Sequence, residues 1–404
     1  MKKIKILFPI FGVLFLCCCS EDYAPIIPLD PVEKQRADSA LMKRTETAFE
    51  NVYNKYWSEK VELFFSSYPN EKGTPQEPTT PKYENHAFSW GFGGLLSAYS
   101  AIVKHTVNVD FRMKYESSFK KSLEQYYSTK NNIPGLACFV NNHDDRLYDD
   151  AIWIGIDLID MYETTNNDWY LDYAKIVWSF VLSGKDDVLG GGIYWAENSK
   201  DSKNTCSNAP AVVFALKLYK VTAEQMYLDT GIEIYDWTKN TLQDPSDYLY
   251  WDNQKTNGTI ETGKFSYNSG QMIQAGVLLY KATDDEQYLD DAKLVAQASY
   301  EYFFRNFVSG HSGEQFRIIN DGHIWFNAIM VRGFIELNNV EKSAVYMTAI
   351  KKSIEHAWKY VVDTETGLLN ANLSGVSYGN PGEINDILLQ GAFLEMSAKI
   401  AAIE

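Results

Sequence analysis

The sequence predicts an all-α fold, an (α/α)6 toroid of six helical hairpins closed into a double ring. Three observations carry this expectation: a recurring aromatic–aliphatic pair, an alternation of wholly apolar and one-faced helices, and a matching alternation of short and long connections. The pairs Tyr170-Leu171, Tyr227-Leu228, Tyr288-Leu289 and Tyr346-Met347 stand 57, 61 and 58 residues apart. Each comes after a polar break, at Asn166-Asn167, Thr222-Ala223, Thr283-Asp284 and Asn338-Asn339. A weaker copy lies at Met113-Lys114-Tyr115. Self-similarity at a near-constant period marks a supersecondary unit that buries its core by stacking on its neighbours.

One hairpin shows the logic. Between Ala151 and Tyr162 nearly every residue is apolar, including Ile152, Trp153, Ile154, Ile156, Leu158, Ile159 and Met161. A helix apolar all round is buried all round. Between Asp168 and Val181 the apolar residues Trp169, Tyr170, Tyr173, Ala174, Ile176, Val177, Phe180 and Val181 alternate with Asp172, Lys175 and Ser179. That spacing leaves one apolar face, the pattern of an outer helix. Outer-type helices are expected near 38–65, 112–128, 168–182, 224–241, 285–305 and 341–362. Inner-type helices are expected near 84–104, 146–163, 207–221, 266–282, 322–338 and 383–402, and Ser207 or Asn208 before Pro210 is a helix-start signal. Closing the ring lets the first and last elements pack together without a capping repeat. No strand domain and no interdomain linker is expected after about residue 36.

The turns from inner to outer helix are short. The returns are long, near 66–83, 129–145, 183–206, 242–265, 306–321 and 363–382. Long loops in a compact domain are usually functional. All six leave from one face, at the N-termini of the inner helices, so a cleft is expected there.

The first residues read as an address. Lys2, Lys3 and Lys5 precede an apolar run from Ile6 to Leu16, too short to span a membrane. Leu16-Cys17-Cys18-Cys19-Ser20 resembles a bacterial lipobox, with Cys19 as the lipidated residue and Cys18 as the alternative. Ser20-Glu21-Asp22 resembles the acidic export tags of surface lipoproteins in some Gram-negative gut bacteria. Pro25, Pro28 and Pro31 stiffen the stretch after this tag. Residues 1–18 are therefore read as a signal peptide, 19–36 as a tether and 37–404 as the toroid. The expectation is a monomeric outer-membrane lipoprotein, surface-exposed, meeting the membrane through its lipid alone.

Composition narrows the partners. With 37 Lys and Arg against 53 Asp and Glu, the net charge is −16, which repels nucleic acid and anionic membranes but not a neutral ligand. Of the 27 Tyr, 21 Phe and 10 Trp most must pack between helices, while a minority suits the C–H faces of sugar rings. Cys138 and Cys206, the cysteines beyond the signal, could pair in an exported protein, but free buried thiols are the expectation.

The inner helix near 146–163 opens with Tyr148-Asp149-Asp150-Ala151-Ile152-Trp153. Aspartate is favoured in any first helical turn by capping and by the helix dipole. Here a buried inner helix puts the pair at the mouth of a central cavity. Glycoside hydrolysis needs one carboxylic acid to protonate the leaving oxygen and a second carboxylate as nucleophile or base. Adjacent helical residues point about 100° apart, so both carboxyls can flank one bond. Such catalysis needs no cofactor and no metal. His143-Asp144-Asp145 reads as a solvated loop rather than a metal site.

At these residues the sequence resembles glycoside hydrolase family 76, the α-1,6-mannanases. The likeness continues through Tyr162-Glu163-Thr164, Gly190-Gly191-Gly192-Ile193-Tyr194-Trp195, Lys203-Asn204-Thr205-Cys206-Ser207-Asn208 and Tyr267-Asn268-Ser269-Gly270-Gln271. It covers residues 85 to 300 well and the last third more loosely. Ser269 stands where the family often has Gln, and Cys206 where a small residue is usual. The resemblance implies a six-hairpin α/α toroid and a retaining, endo-acting mechanism on α-mannan or mannooligosaccharides. It also implies Asp149 as nucleophile and Asp150 as general acid/base; the residues by themselves leave those roles open.

Other residues are candidates for the cleft. Gly191 and Gly192 let backbone approach a sugar, or simply make a tight loop. Tyr194 and Trp195 form a stacking wall or anchor that loop. Asn204, Asn208 and Asn268 bond sugar hydroxyls or cap helices. Tyr148 and Tyr267 are placed in the cleft, Trp153 in the core beneath the aspartates, and Trp325 with Phe326 at a distal subsite. The competing readings are a toroid hydrolase of unsaturated uronic acids, a transglycosylase sharing the same intermediate, and a glycan-binding lipoprotein without turnover. The first wants basic cleft loops, which these are not; the last is disfavoured by the intact Asp149-Asp150 pair.

Overall fold

A computed structural model describes residues 39–69, 85–377 and 385–403. The signal, the tether and the expected lipidation at Cys19 lie outside the described residues. Twelve α-helices alternate in the described chain. The outer set is α1 (Ala40–Tyr56), α3 (Val109–Glu124), α5 (Asp168–Leu182), α7 (Gln225–Leu242), α9 (Glu286–Tyr302) and α11 (Ala344–Tyr360). The inner set is α2 (Ser89–His105), α4 (Tyr148–Thr165), α6 (Thr205–Thr222), α8 (Ser266–Thr283), α10 (Ile324–Val340) and α12 (Ile387–Ala401).

Each inner helix packs against the next, and α12 packs against α2, so the inner ring is closed. The outer helix α1 lies on α12, and the two ends of the chain thereby make the sixth hairpin. The (α/α)6 toroid read from the repeat is the fold observed. In α4 the whole run Ala151 to Met161 is buried, whereas α5 buries Tyr170, Tyr173, Ala174, Val177, Trp178, Phe180 and Val181 on one side.

Three of the four polar breaks are helix stops, while Asn338-Asn339 lies within the last turn of α10. Asn166, Ala223 and Asp284 adopt left-handed φ of 52°, 58° and 61°, and their N–H groups bond the carbonyls of Tyr162, Tyr219 and Tyr280. A residue in this conformation ends a helix while satisfying an orphan carbonyl. The inner helices approach closely where side chains vanish. A Cβ on Gly333 would meet the Gly270 carbonyl oxygen at 2.2 Å, and one on Gly391 would meet that of Gly94 at 2.2 Å. The α8–α10 and α12–α2 contacts are therefore backbone against backbone.

Three outer helices are shorter than expected: α1 stops at Tyr56, α3 at Glu124 and α9 at Tyr302. The chain beyond each stop is extended, because the returns carry antiparallel ribbons. These are β1 (Trp57–Ser58) with β2 (Leu63–Phe64), β3 (Tyr127–Lys130) with β4 (Ile133–Leu136), and β8 (Phe304–Val308) with β9 (Gln315–Ile319). The three-stranded sheet β5 (Ser202–Asn204), β6 (Trp251–Lys255) and β7 (Ile260–Lys264) joins two successive returns into one wall. Hairpins satisfy backbone groups that a long irregular loop would leave unpaired.

Candidate active site

The ring brings the first turns of the inner helices together. Asp149 and Asp150 occupy the first turn of α4, Ser89 and Trp90 that of α2, Cys206 that of α6, Tyr267 that of α8 and Phe326 that of α10. Their contacts run in a circuit. Ser89 Oγ donates to Asp150 Oδ2 at 3.2 Å. Trp90 stacks on His323 with centroids 5.6 Å apart, and His323 lies 4.9 Å from Phe326. Phe326 stacks on Tyr267 at 4.1 Å and 11°. Tyr267 interacts with Cys206, and Cys206 Sγ donates to Asp149 Oδ2 at 3.4 Å. A carboxylate pair thus faces an aromatic arc across the end of the toroid.

The two carboxyls live in different surroundings. Asp149 is half-buried and accepts three donors from three directions. Trp195 Nε1 reaches Oδ2 at 3.0 Å, the Cys206 thiol reaches the same oxygen, and the Asp150 N–H reaches Oδ1 at 3.0 Å. Burial pushes its pKa up to about 6, held there rather than higher by Cys206, Trp195 and the backbone. Asp150 is buried, at 6% exposure. Burial, and then the charge of Asp149 beside it, raise its pKa well above the carboxylate range against the opposing hydroxyl of Ser89 and thiol of Cys138. Two like charges so close disfavour double ionisation, so one proton is shared and Asp150 is its better holder. One carboxylate and one carboxylic acid side by side can deliver a proton and a nucleophile to the same bond.

Trp195 reaches Asp149 because its backbone is pinned on both sides. Its carbonyl accepts from Tyr148 N at 3.0 Å and its N–H donates to Ser202 O at 3.2 Å. Its ring remains 40% exposed. Trp195 therefore faces the pair through a hydrogen bond that the sequence did not suggest.

Other expected contacts are placed differently. Tyr148 is buried and stacks on Phe180 at 4.7 Å, against Gly184, instead of lining the cleft. Tyr194 is buried under the Lys203 ammonium at 4.6 Å and anchors its loop; it is not a stacking wall. Gly191 and Gly192 are buried at φ of 138° and 78°, and a Cβ on Gly192 would strike the Trp237 ring at 2.6 Å. They fit the loop onto Trp237 rather than onto a ligand. Asn208 spends its amide on backbone, accepting from Ile193 N at 2.7 Å and donating to the carbonyls of Ile193 and Asn204. Asn204 is half-buried and accepts from Ser202 Oγ at 2.7 Å. Asn268, beside Tyr267, is buried, and neither of its amide atoms has a partner among the described residues. A buried amide without partners is costly, which leaves Asn268 free to bond a ligand or water.

Trp153 is core, edge-on to Trp325 at 5.9 Å, and Trp325 is itself fully buried. Only Phe326 of the expected distal pair is accessible. Ser269 is buried and accepts from Tyr250 N at 3.1 Å, so its departure from the family pattern touches a loop anchor. Cys138 and Cys206 are free and buried.

Ser89, Trp90 and His323 were not expected from the sequence, and Cys206 stood out there only as a departure from the family. A positional signal was available: each lies at the cap or in the first turn of an inner helix, the same place as the aspartates.

Fold and site together define a class, a closed helical toroid with a carboxyl pair set among aromatic side chains at one end of its axis. The chain belongs to glycosyl hydrolase family 76, whose model matches residues 41–395. It is similar to a family 76 mannosidase from Bacteroides thetaiotaomicron VPI-5482, with 34% identity, a TM-score of 0.82, and coverage of 90% of this chain and 99% of that one. It is also similar to the α-1,6-mannanase of a Salegentibacter species, with 26% identity, a TM-score of 0.72, and coverage of 90% and 100%. A Candida albicans protein, mannan endo-1,6-alpha-mannosidase DFG5, is 26% identical over 233 residues, 53% of this chain and 49% of that relative. The chain thus spans about half the length of this fungal relative.

Proposed function

We propose that this chain is an endo-acting, retaining glycoside hydrolase that cleaves the α-1,6-linked backbone of mannan. The observation that carries the proposal is the split environment of Asp149 and Asp150. Asp149, with three donors on its carboxylate, is the nucleophile. Asp150, buried beside that charge, is the acid. In the first step Asp150 gives its proton to the glycosidic oxygen while Asp149 bonds to the anomeric carbon and the shortened chain departs. In the second, Asp150 takes a proton from water, the water attacks the same carbon, and Asp149 is released. Two inversions give net retention.

A neutral polymer suits a chain of net charge −16. The arc of Trp90, His323, Phe326 and Tyr267 offers faces on which sugar rings stack. The Salegentibacter enzyme is an α-1,6-mannanase and the fungal relative a mannan endo-1,6-alpha-mannosidase, which supports this substrate. In this reading the protein works as a monomer held on the outer membrane by a lipid on Cys19, and takes mannan or mannooligosaccharides at the cell surface.

The test is incubation of the purified protein with debranched and with branched α-mannan, beside Asp149→Asn and Asp150→Asn variants. Products are resolved by size and the first-formed anomer is read by NMR. Oligosaccharides of retained configuration from wild type, absent in both variants, are expected. Binding without cleavage would favour a glycan-binding protein. Products longer than the substrate would favour transglycosylation. Neither binding nor cleavage would remove mannan as the ligand.

A further inference from the structure

Building on the proposed hydrolysis, we propose that Cys206, oriented by Tyr267, is a positioning residue that holds the Asp149 carboxylate in one rotamer and in its ionised form. The three donors to Asp149 are not equivalent. The Asp150 N–H belongs to Asp149's own helix and fixes Oδ1. Trp195 sits on a return loop with its ring 40% exposed, so water competes for Oδ2. Cys206 alone comes from a neighbouring inner helix and is buried, at 4% exposure, so its bond to Oδ2 is shielded.

A thiol is by itself a weak donor. Here the Tyr267 phenol interacts with the thiol from the side of α8, while the S–H is directed at Asp149 Oδ2. The Tyr267 ring is itself clamped by Phe326 at 4.1 Å, so the relay is anchored in α8 and α10. Both outer members stay protonated. Burial, then Asp149 and Asp252, push the Cys206 thiol far up. Burial, then Cys206, Asp149 and Asp252, do the same to the Tyr267 phenol. Cys206 is therefore a neutral donor and places no competing negative charge beside the nucleophile.

The titratable groups beside this cluster include Asp150 from α4, Asp252 from β6, the loop residues Cys138 and Asp145, and His323 at the start of α10, which packs on Phe326. The influences that hold Asp149 down are hydrogen-bond donors, with Cys206 first among them. A hydroxyl at residue 206 would donate more strongly and reduce the basicity of Asp149. An alanine would remove the donor.

The experiment compares wild type with Cys206→Ala, Cys206→Ser and Tyr267→Phe in two independent readouts. One is the pH dependence of kcat and KM on debranched α-1,6-mannan. The other is the titration of the Asp149 carboxyl, followed by NMR in protein carrying 13C-carboxyl aspartate and assigned with Asp149→Asn; it needs no substrate. Cys206→Ala is expected to move the acidic limb and the Asp149 titration upward by roughly one pH unit, the scale of one lost bond to a carboxylate. Its kcat near pH 5 should fall roughly tenfold, since each unit costs a factor of ten in the ionised fraction, with KM little changed. Cys206→Ser should restore or lower both midpoints, and Tyr267→Phe should shift them upward by less than Cys206→Ala.

Superimposed titrations of wild type and Cys206→Ala would overturn the relay. So would equal losses of activity and melting temperature in the Ala and Ser variants with unmoved midpoints, the signature of packing alone. If Cys206→Ala does not fold, Tyr267→Phe decides the matter: midpoints raised above wild type, with Cys206→Ser at or below wild type, support the relay, and unmoved Tyr267→Phe midpoints overturn it. A wild type that leaves mannan intact overturns the proposed substrate, while the NMR titration still decides the relay.

Discussion

Asp149 and Asp150 are neighbours in sequence with opposite burdens. Both are raised by burial, but Asp149 is given donors and Asp150 mainly its neighbour's charge. In the proposed mechanism the active form has Asp149 ionised and Asp150 protonated. The rate profile is then a bell whose acidic limb lies near pH 6 and whose alkaline limb reports the shared proton of Asp150. Initial rates across pH 4 to 9 check it, and an acidic limb near pH 4 would contradict it. The pair also carries a stability cost of known sign. Below roughly pH 4 both the folded and the unfolded chain hold the Asp150 proton, and there is no penalty. As pH rises, the unfolded chain releases that proton first, so stability falls across the window up to the raised folded value. Asp150→Asn removes this titration. Its melting temperature should exceed that of wild type at pH 7, with the gap closing as pH approaches about 4. A variant less stable at both pH values would show the cost to lie elsewhere.

At the scale of elements, the inner helices depend on positions without side chains. Gly270 and Gly333 let α8 and α10 meet through backbone, as Gly94 and Gly391 do for α2 and α12. Gly333→Ala adds a methyl whose nearest neighbour is a carbonyl oxygen, which no rotamer change relieves. It should cost about 1–3 kcal/mol or more, read from denaturant midpoints. Gly276→Ala also meets a carbonyl oxygen, at 2.8 Å, and should cost less. None of this was legible beforehand. The period of an inner helix shows that it is buried, not which neighbour crosses it or where. The aspartates were legible because the helix start and the buried pattern both pointed to the same turn. Tyr148 and Asn208 were misplaced for a related reason. Lying in or next to a first turn puts a residue near the cleft, but which way it points depends on the loop folded over it.

For the whole molecule, the two ends of the axis do different things. The N-terminal ends of the inner helices hold the acid pair and the aromatic arc. The opposite ends enclose a cavity of about 260 Å³ lined by Lys104, Asp160, Lys217, Gln274, Arg332 and Lys399. Arg332 is its keystone, bonding Glu395 at 2.6 and 3.0 Å and Ser97 at 2.9 Å, with Asp157 3.8 Å away. These residues belong to α2, α4, α10 and α12, so the network ties four inner helices together. Arg332→Ala strands buried carboxylates and should cost about 3–5 kcal/mol. Arg332→Met with Glu395→Leu should recover only part of it, since Glu395 is no longer stranded but Asp157 and Lys399 each lose a partner. Chemical unfolding of the three proteins checks both statements.

The sequence by itself determined the alternation of buried and one-faced helices, the alternation of short turns with long returns and the turn that carries Asp149 and Asp150. Each of these is a periodic or local signal, set by which residues tolerate burial and which end a helix. Only the tertiary structure decided which first-turn residues meet. That α12 closes on α2, that Trp195 swings to Asp149, and that Cys206 stands between Asp149 and Tyr267 depend on how six helices of nearly equal period are rotated about their own axes. That rotation is set by contacts between residues far apart in the chain, such as the glycine crossings and the Arg332 network, and no local pattern encodes it.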